Sequence, residues 1–426
     1  MPGKPDNTAR RPASVPLEPG AGKRAPISPS LFDHEELEID PHIDATMKVL
    51  FAFAITFVVA GHVIAPGSPG GISFGYNLFP PASFHVGIFV FVAGYFYKSK
   101  HEQEPGAYLK RRVLRLLVPL YAVYAVYGLV VVPLMHLCGF TIGQDPSLYN
   151  LLLDPLFGGH AFMWNLPLWF VAPLFFTELL DFGLRKLLRV GESRIKELVL
   201  IVCYFAAGAL TVALCGETGF QEYDSSPLIL LARIGVFLPC YALGRLYQVF
   251  LESHDSAPNW LYFAVVISVQ IILIVVTGGK VGYVISWCWF YSGPLVTLLE
   301  LVCGIAFWLR ISRIVAPGLS QSASLRAVAN STFSIMAHQF LGIFLVKAVF
   351  AGLAALGLIG GFDMGAFLSD FWYYWYPPSI ASGHAASCAA FATIYVAAGV
   401  AVPLGIHWCW LRIRERASAL RRARNA

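Results

Sequence analysis

Ten apolar runs divide most of this chain, and each is long enough to cross the hydrocarbon core of a bilayer. They fall near residues 46–64, 78–97, 113–136, 165–184, 198–215, 227–250, 259–277, 283–309, 333–357 and 386–410. A spanning helix needs about 20 consecutive apolar residues, whereas a β-barrel strand would show alternation over roughly ten. The runs therefore predict an all-α, polytopic bundle of about ten transmembrane helices, with strands not expected.

Composition and charge support this class. Hydrophobic residues make up 57% of the chain and charged residues 13%, and the mean hydropathy is +0.65. Lys and Arg concentrate in the cytoplasmic loops of membrane proteins. If the amino terminus is cytoplasmic, 24 of the 30 Lys and Arg residues fall in cytoplasmic loops and tails, and Lys280 alone falls outside. Both termini are therefore predicted to be cytoplasmic.

The chain divides into a core and two tails. Residues 1–41 are polar and Pro-rich and predict a disordered cytoplasmic tail. Residues 42–411 form the predicted transmembrane domain, and residues 412–426 form a basic cytoplasmic tail. The eight cysteines have no CxxC or metal-ligand spacing, so they are expected to pack in the core and no metal is expected. Nucleic acid is not an expected partner either.

Six segments suggest a family. They are IDATMKVLFAFAITFVVAGH ending at His62, FHVGIFVFVAGYFYK at 84–98, LKRRVLRLLVPLY at 109–121, LWFV at 168–171, YALGRL at 241–246 and STFSIMAHQF at 331–340. In this order they resemble the integral-membrane acyltransferase family 3, especially its branch of fucose 4-O-acetylase-like and exopolysaccharide O-acetyltransferases.

The resemblance implies an enzyme of the bacterial inner membrane. Its implied activity is transfer of an acetyl group from cytoplasmic acetyl-CoA to a sugar hydroxyl of a polysaccharide or lipid-linked glycan. The implied partners are the lipid bilayer, the acyl-CoA, the glycan acceptor and proteins of polysaccharide biosynthesis or export.

Three histidines are candidate catalytic residues, because a sugar hydroxyl needs a base and histidine serves as one near neutral pH. His62 ends the first run and His85 begins the second from the same side, so both are expected close together near the outer leaflet. His62 is the predicted base. His338, within SIMAHQF, is expected toward the cytoplasmic half. The alternative for each is structural: a hydrogen bond to a backbone carbonyl, or, for His338, packing against Gln339.

Basic residues at the cytoplasmic side are candidate substrate-binding residues. The family has a basic residue eleven positions before the first-helix histidine, where this chain has Phe51. Lys48, fourteen positions before His62, lies on the same helix face and is the predicted substitute, with an inserted helical turn as the alternative. Lys110, Arg111, Arg112 and Arg115 suit the phosphates of coenzyme A. The alternative is that they fix topology and contact anionic lipids.

Charges within the runs need partners. Glu178 and Arg233 are expected to face the bundle interior and to pair with each other or with a substrate, and Lys347 requires a partner or a polar cavity. The resemblance adds Trp169, within LWFV, to the substrate-binding candidates.

Aromatic side chains gather on the predicted outer side. The segment 371–378, with His160 and Trp164 from an earlier loop, offers ring faces for a sugar. Aromatic residues also collect at membrane interfaces without any catalytic reason, so both interpretations are open.

Two other function classes remain open from the sequence. A glycan or lipid carrier would use the buried charges to line a pathway. A structural subunit of a polysaccharide-export complex would need no catalytic histidine at all.

Overall fold

A computed structural model describes residues 41–66, 78–221, 224–319, 321–382 and 385–425 of the chain. The tail predicted at the amino terminus lies outside the described residues, apart from Pro41. Within the described ranges the principal helices are α1 (Pro41–Gly61), α2 (His85–Tyr95), α3 (Pro105–Cys138), α4 (Met163–Leu188), α5 (Arg194–Cys215), α6 (Pro227–His254), α7 (Asn259–Val276), α8 (Pro294–Leu319), α9 (Thr332–Ala355) and α10 (Ala385–Asn425).

These helices confirm the polytopic all-α bundle. Eight of them, α3 to α10, are long and apolar enough to cross a membrane, and α1 and α2 are shorter apolar helices among the described residues. Each matches one predicted run. The last helix continues through the basic segment after residue 411 as far as Asn425, so the described part of that predicted tail is helical.

Two predicted runs begin with segments that are not spanning helix. Residues 78–84 form turns and the short helix Pro81–Ser83 before α2. The run at 283–309 begins with a hairpin of two short strands, β1 (Tyr283–Val284) and β2 (Trp289–Phe290), which pair antiparallel. These two short strands are a local addition to a bundle that is otherwise helical, as predicted. The sequence TGGKVGY before β1 provides the glycines for tight turns, and φ is positive at three of them.

Other short helices connect or flank the principal ones. They lie at Ser99–Gln103, Tyr149–Leu153, Val190–Glu192, Ile285–Trp287, Ala323–Asn330, Met364–Ser369 and Pro378–Ala381.

Helices α2 and α6 approach so closely that their backbones touch. A Cβ added at Gly94 would lie 2.1 Å from the Tyr241 carbonyl oxygen, and one added at Gly244 would lie 1.9 Å from the Phe91 carbonyl oxygen. Small residues allow such contacts between membrane helices, whose association depends on close packing. The pair fixes the position of α2, and therefore of His85 at its first residue.

Replacing Gly94 with alanine is expected to destabilise the bundle by about 1–3 kcal/mol, because the methyl group would push a rigid backbone away. Gly183→Ala in α4 is the matched control, since a Cβ there meets nothing within 4 Å. Melting temperatures of the two purified proteins in one detergent test this. A Gly94→Ala protein that melts with the wild type would contradict the contact.

Ion pairs tie the helices together at the end of the bundle opposite His62. Arg185 bonds Asp181 through Nε at 2.8 Å and Glu197 through Nη2 at 2.8 Å, and Arg245 bonds Glu197 at 3.1 Å. The Tyr97 ring lies against both guanidinium groups. This network joins α4, α5 and α6 to the segment after α2.

The loop near 251–258 lies at the same end. Asp255 accepts hydrogen bonds from Arg310 and Arg313 of α8 and from the Tyr247 hydroxyl. The loop contains no Lys or Arg, so the number of preceding spans alone predicts that it is cytoplasmic. Its contacts place it beside arginines that the charge distribution independently predicts to be cytoplasmic.

Candidate active site

A cavity of about 570 Å³ lies between the end of α1 and the start of α2. Its walls come from α1, the segment leading into α2, the loop and first turns of α4, and the hairpin before α8. His62, His85 and His160 all line it. The cavity therefore brings together the two histidines that the sequence expected to be neighbours, and adds a third.

His62 is held on three sides. Its Nδ1 lies 3.2 Å from Oε1 of the fully buried Gln339, and its backbone carbonyl accepts a hydrogen bond of 2.6 Å from the Tyr374 hydroxyl. The Trp372 ring stacks on the imidazole with centroids 6.4 Å apart, and the Phe340 ring meets it edge-on.

The contact with Gln339 determines the tautomer of His62. The Gln339 amide nitrogen donates to the Met336 carbonyl at 3.4 Å, which orients Oε1 toward the imidazole. In this orientation of the amide the Gln339 oxygen accepts, and the hydrogen-bond network assigns the imidazole proton to Nδ1. The neutral ring then has its lone pair on Nε2, the form that a general base requires.

Two neighbouring helices, α9 and α10, continue well past His62 on the predicted outer side of the bundle. Gln339 is followed by the rest of α9 up to Ala355, about 24 Å of helix toward the predicted outer face. A Cβ added at Gly399 of α10 would lie 2.7 Å from Val59, and α10 begins about 21 Å further out. Both helices therefore extend past α1 on that side and surround His62 with protein, and its expected position near the outer leaflet stays a prediction.

His338 lies outside the cavity wall. Its Nδ1 is 2.8 Å from the Tyr127 hydroxyl of α3, whereas the neighbouring Gln339 side chain reaches His62. The proposed packing of His338 against Gln339 is therefore replaced by a hydrogen bond to Tyr127. Consecutive helical residues point in directions about 100° apart, which separates these two side chains.

Arg233 joins the walls of the cavity. It is completely buried and donates to the carbonyls of Phe157 at 2.7 Å, Gly158 at 2.9 Å and Ser286 at 2.7 Å. The guanidinium also lies over the ring of Trp169, another wall residue.

The same guanidinium fixes His160. Nη2 of Arg233 lies 3.1 Å from Nε2 of His160, and the His160 ring packs on Trp287 with centroids 4.3 Å apart. Burial and the adjacent guanidinium hold the pKa of His160 well below its usual range, so the imidazole is neutral. Because Nε2 accepts from Arg233, it is unavailable as a base, unlike Nε2 of His62.

Glu178 and Arg233 have separate partners. Glu178 is buried on α4 and pairs with Arg112 at 3.1 Å, and the Arg112 guanidinium lies over Tyr108. The predicted pairing of Glu178 with Arg233 is wrong, since Arg233 lies in the cavity wall. About 13 Å of α4 separates Trp169 from Glu178.

The remaining basic candidates lie at the opposite end from the cavity. Lys48 is fourteen residues before His62, about 21 Å away along α1, and is half-buried. Arg111 and Arg115 are half-buried on α3, near the Arg112 pair with Glu178, and Lys110 is exposed. Of the described residues that line the cavity, none belongs to this group.

Lys347 has the partners that its position requires. Its ammonium donates to the Phe371 carbonyl at 2.7 Å and lies 3.9 Å from the centre of the Tyr374 ring. It thus anchors the aromatic segment 371–378, whose Trp372 and Tyr374 hold His62. Trp164, by contrast, is buried against Phe344 and is not a free ring face.

The sequence did not identify Gln339 as a partner of His62, or the hairpin as a cavity wall. Tyr283, Ser286 and Trp287 of the hairpin line the cavity beside the three histidines. Gly278, Gly279 and Gly282 interrupt the apolar pattern just before the hairpin. They were the one feature of the sequence that could have indicated a turn there.

A family model described as an acyltransferase domain matches residues 47–402. No curated protein and no solved structure matches the chain at a significant level. The match covers α1 and the cavity and extends into α10, beyond the segments that carried the resemblance. This multi-pass membrane protein therefore belongs to the acyltransferase 3 family and is an acyltransferase.

Proposed function

We propose that this acyltransferase moves an acetyl group from cytoplasmic acetyl-CoA to a sugar hydroxyl of a polysaccharide or lipid-linked glycan at the bacterial inner membrane. The observation that carries the proposal is His62, which lines a cavity inside the bundle and has its Nδ1 proton held by Gln339.

His62 is the proposed general base. Its Nε2 takes the proton of the sugar hydroxyl as that oxygen attacks the thioester carbonyl. The tetrahedral intermediate then collapses, the carbon–sulfur bond breaks, and the departing thiolate takes the proton from the imidazolium. The products are the sugar acetate ester and the free thiol of coenzyme A. Gln339 stabilises the imidazolium by accepting from Nδ1 throughout.

The donor would enter from the end that carries Lys48, Arg111 and Arg115. A donor whose phosphates bind there must extend its thioester about 21 Å to reach His62. The long, flexible pantetheine arm of coenzyme A suits that distance, and cationic side chains suit its phosphates. Arg112 already pairs with the buried Glu178, so its first role is to neutralise that carboxylate.

The acceptor would enter from the opposite end and contact the aromatic walls. Trp169, Trp287 and Trp372 line the cavity and are the proposed aromatic contacts of the acceptor. A sugar offers apolar C–H faces for stacking and hydroxyls for hydrogen bonds. The depth of His62 lets donor and acceptor meet inside the bundle, where bulk water is a weaker competitor for the acetyl group.

Membranes containing the protein should transfer radiolabel from acetyl-CoA to a glycan acceptor. The assay compares membranes with and without the protein and identifies the labelled product by mass and by release of acetate in mild base. Absence of label from every glycan, together with label in another class of product, would contradict the proposed acceptor. Glycan transport without transfer would favour a carrier.

Neutralising Arg111 and Arg115 together with glutamine is expected to raise the KM for acetyl-CoA about tenfold or more. Charge-assisted hydrogen bonds to phosphate contribute roughly 1.5–3 kcal/mol each, and they act mainly on donor binding. The KM for the glycan should change little. Arg194→Gln, an exposed arginine at the same end, is the control. Equal KM values in both variants would assign the cluster to topology.

A further inference from the structure

The end of α5 and the hairpin are held together on one side of the cavity. The Phe290 amide donates to the Gly216 carbonyl at 3.0 Å, and the Phe220 amide donates to the Trp287 carbonyl at 2.9 Å. The Trp289 indole nitrogen donates to the Phe220 carbonyl at 2.6 Å. These bonds align residues 216–220 alongside 287–290.

Two cysteines face each other across this junction. Cys215 is the last residue of α5, directly before Gly216, and Cys288 lies between Trp287 and Trp289. The backbone bonds of Gly216 and Phe220 to Phe290 and Trp287 hold the two cysteines on adjacent segments, and their thiols interact with each other. Both are thiols in the structure, Cys288 fully buried and Cys215 half-buried.

The backbone at Cys288 is unusual. Its φ is +51° and its ψ is +41°, a left-handed conformation that glycine or asparagine adopts more easily than cysteine. Such a conformation persists only where the surrounding structure enforces it. A cysteine at this position, with its sulfur against a second cysteine 73 residues earlier in the chain, indicates a use for the side chain beyond packing.

We propose that Cys215 and Cys288 form a disulfide that fixes the hairpin wall of the cavity to α5. The bond forms by exchange with a disulfide-containing oxidant. The Cys215 thiolate attacks one oxidant sulfur and releases the first oxidant thiol, and the Cys288 thiolate then attacks Sγ of Cys215 and releases the second. Two protein thiols lose their protons, one S–S bond forms, and the S–S bond of the oxidant is reduced.

The surroundings favour this order of events. Cys215 is the more accessible sulfur and can meet the oxidant first, and Cys288 is buried against it. The contact with Cys215 and burial raise the pKa of the Cys288 thiol, and the Arg233 guanidinium, which bonds Ser286 two residues away, opposes that rise only in part, so Cys288 suits the second step, in which the sulfur it attacks is already held against it. The predicted orientation puts this end of the bundle outside the cytoplasm, where disulfides persist.

Counting thiols in the full-length purified protein tests the proposal. After treatment with oxidised glutathione and denaturation, a maleimide mass tag should label two fewer thiols than the eight cysteines of the sequence. Non-reducing digestion should give one peptide pair, linked through Cys215 and Cys288. Labelling of all eight cysteines, or a linked pair that contains a different cysteine, would overturn the proposal.

Variants make the result specific. Cys288→Ser should lose at most one thiol, that of Cys215 as a mixed disulfide with glutathione, and should give no linked peptide pair, whereas Cys138→Ser, at an exposed site, should still lose two and give the pair. If a variant fails to fold, the wild-type count and the linked peptide decide the question without it. Reduction should also lower the melting temperature of the oxidised wild type but not that of Cys215→Ser. An unchanged wild-type melting temperature would overturn the role in fixing the wall.

Discussion

Replacing His62 with glutamine is expected to lower kcat for acyl transfer by about two to four orders of magnitude, the usual contribution of a general base. Glutamine is similar in size and can keep a hydrogen bond to the Gln339 amide, so the protein should remain folded. It cannot take up and release a proton near neutral pH. The measurement is the initial rate with acetyl-CoA and a glycan acceptor, at equal amounts of inserted protein.

Two further variants identify the source of that loss. His136→Gln is the matched control, because His136 is exposed and its imidazole pairs with Asp145 at the surface. Gln339→Leu removes the acceptor for Nδ1 while preserving His62, and should lower kcat with little change in either KM. Near-normal kcat in His62→Gln would exclude His62 as the base and direct attention to His85, which lines the same cavity.

The sequence predicted the architecture well because a membrane restricts it strongly. The bilayer requires long apolar helices, and each predicted run corresponds to one helix. The runs predicted that each helix exists, but they did not predict the residues at which it begins and ends. Residues 283–290 are as apolar as a spanning helix but form a hairpin, since glycines before them and the walls around them permit a turn inside the protein. Hydropathy alone does not distinguish these cases.

The site was predictable only in part, for a geometric reason. His62 and His85 follow each other along the chain at one end of two adjacent helices, so their proximity could be inferred from topology. His160, Gln339 and Ser286 come from distant segments, and only packing brings them to the same cavity. The depth of His62 was equally inaccessible, because it depends on how far α9 and α10 extend past α1.

Buried charges illustrate the same limit. The cost of an intramembrane charge correctly predicted that Arg233, Glu178 and Lys347 would have partners. It did not predict which ones. Lys347 bonds a backbone carbonyl and lies against aromatic rings, and Arg233 bonds three carbonyls and an imidazole. Backbone carbonyls and aromatic rings carry no charge, so a sequence does not reveal them as partners of a buried cation. Glu178, the partner of Arg112, is a charged residue that the sequence does show.

Replacing Arg233 with methionine is expected to have the largest effect on stability of any substitution considered. Methionine fills the space but leaves the carbonyls of Phe157, Gly158 and Ser286 without their donor inside the protein. Each buried group that loses its hydrogen bond costs about 1–3 kcal/mol, so the loss should approach the whole stability of a typical domain. We expect little or no correctly folded protein after purification, measured by size-exclusion chromatography and melting temperature.

Arg233→Lys separates the structural role from the effect on the cavity. Lysine keeps the charge but has one ammonium group, which cannot reach the loop, the hairpin and His160 together. The variant should fold with a lower melting temperature and show a raised KM for the glycan, since the hairpin wall is no longer fixed. The KM for acetyl-CoA should be unaffected, because the proposed donor site lies at the other end of the bundle. Arg326→Lys, at an exposed position, controls for the substitution itself. A wild-type melting temperature and a wild-type KM for the glycan in Arg233→Lys would show that the guanidinium does not hold the acceptor walls in place.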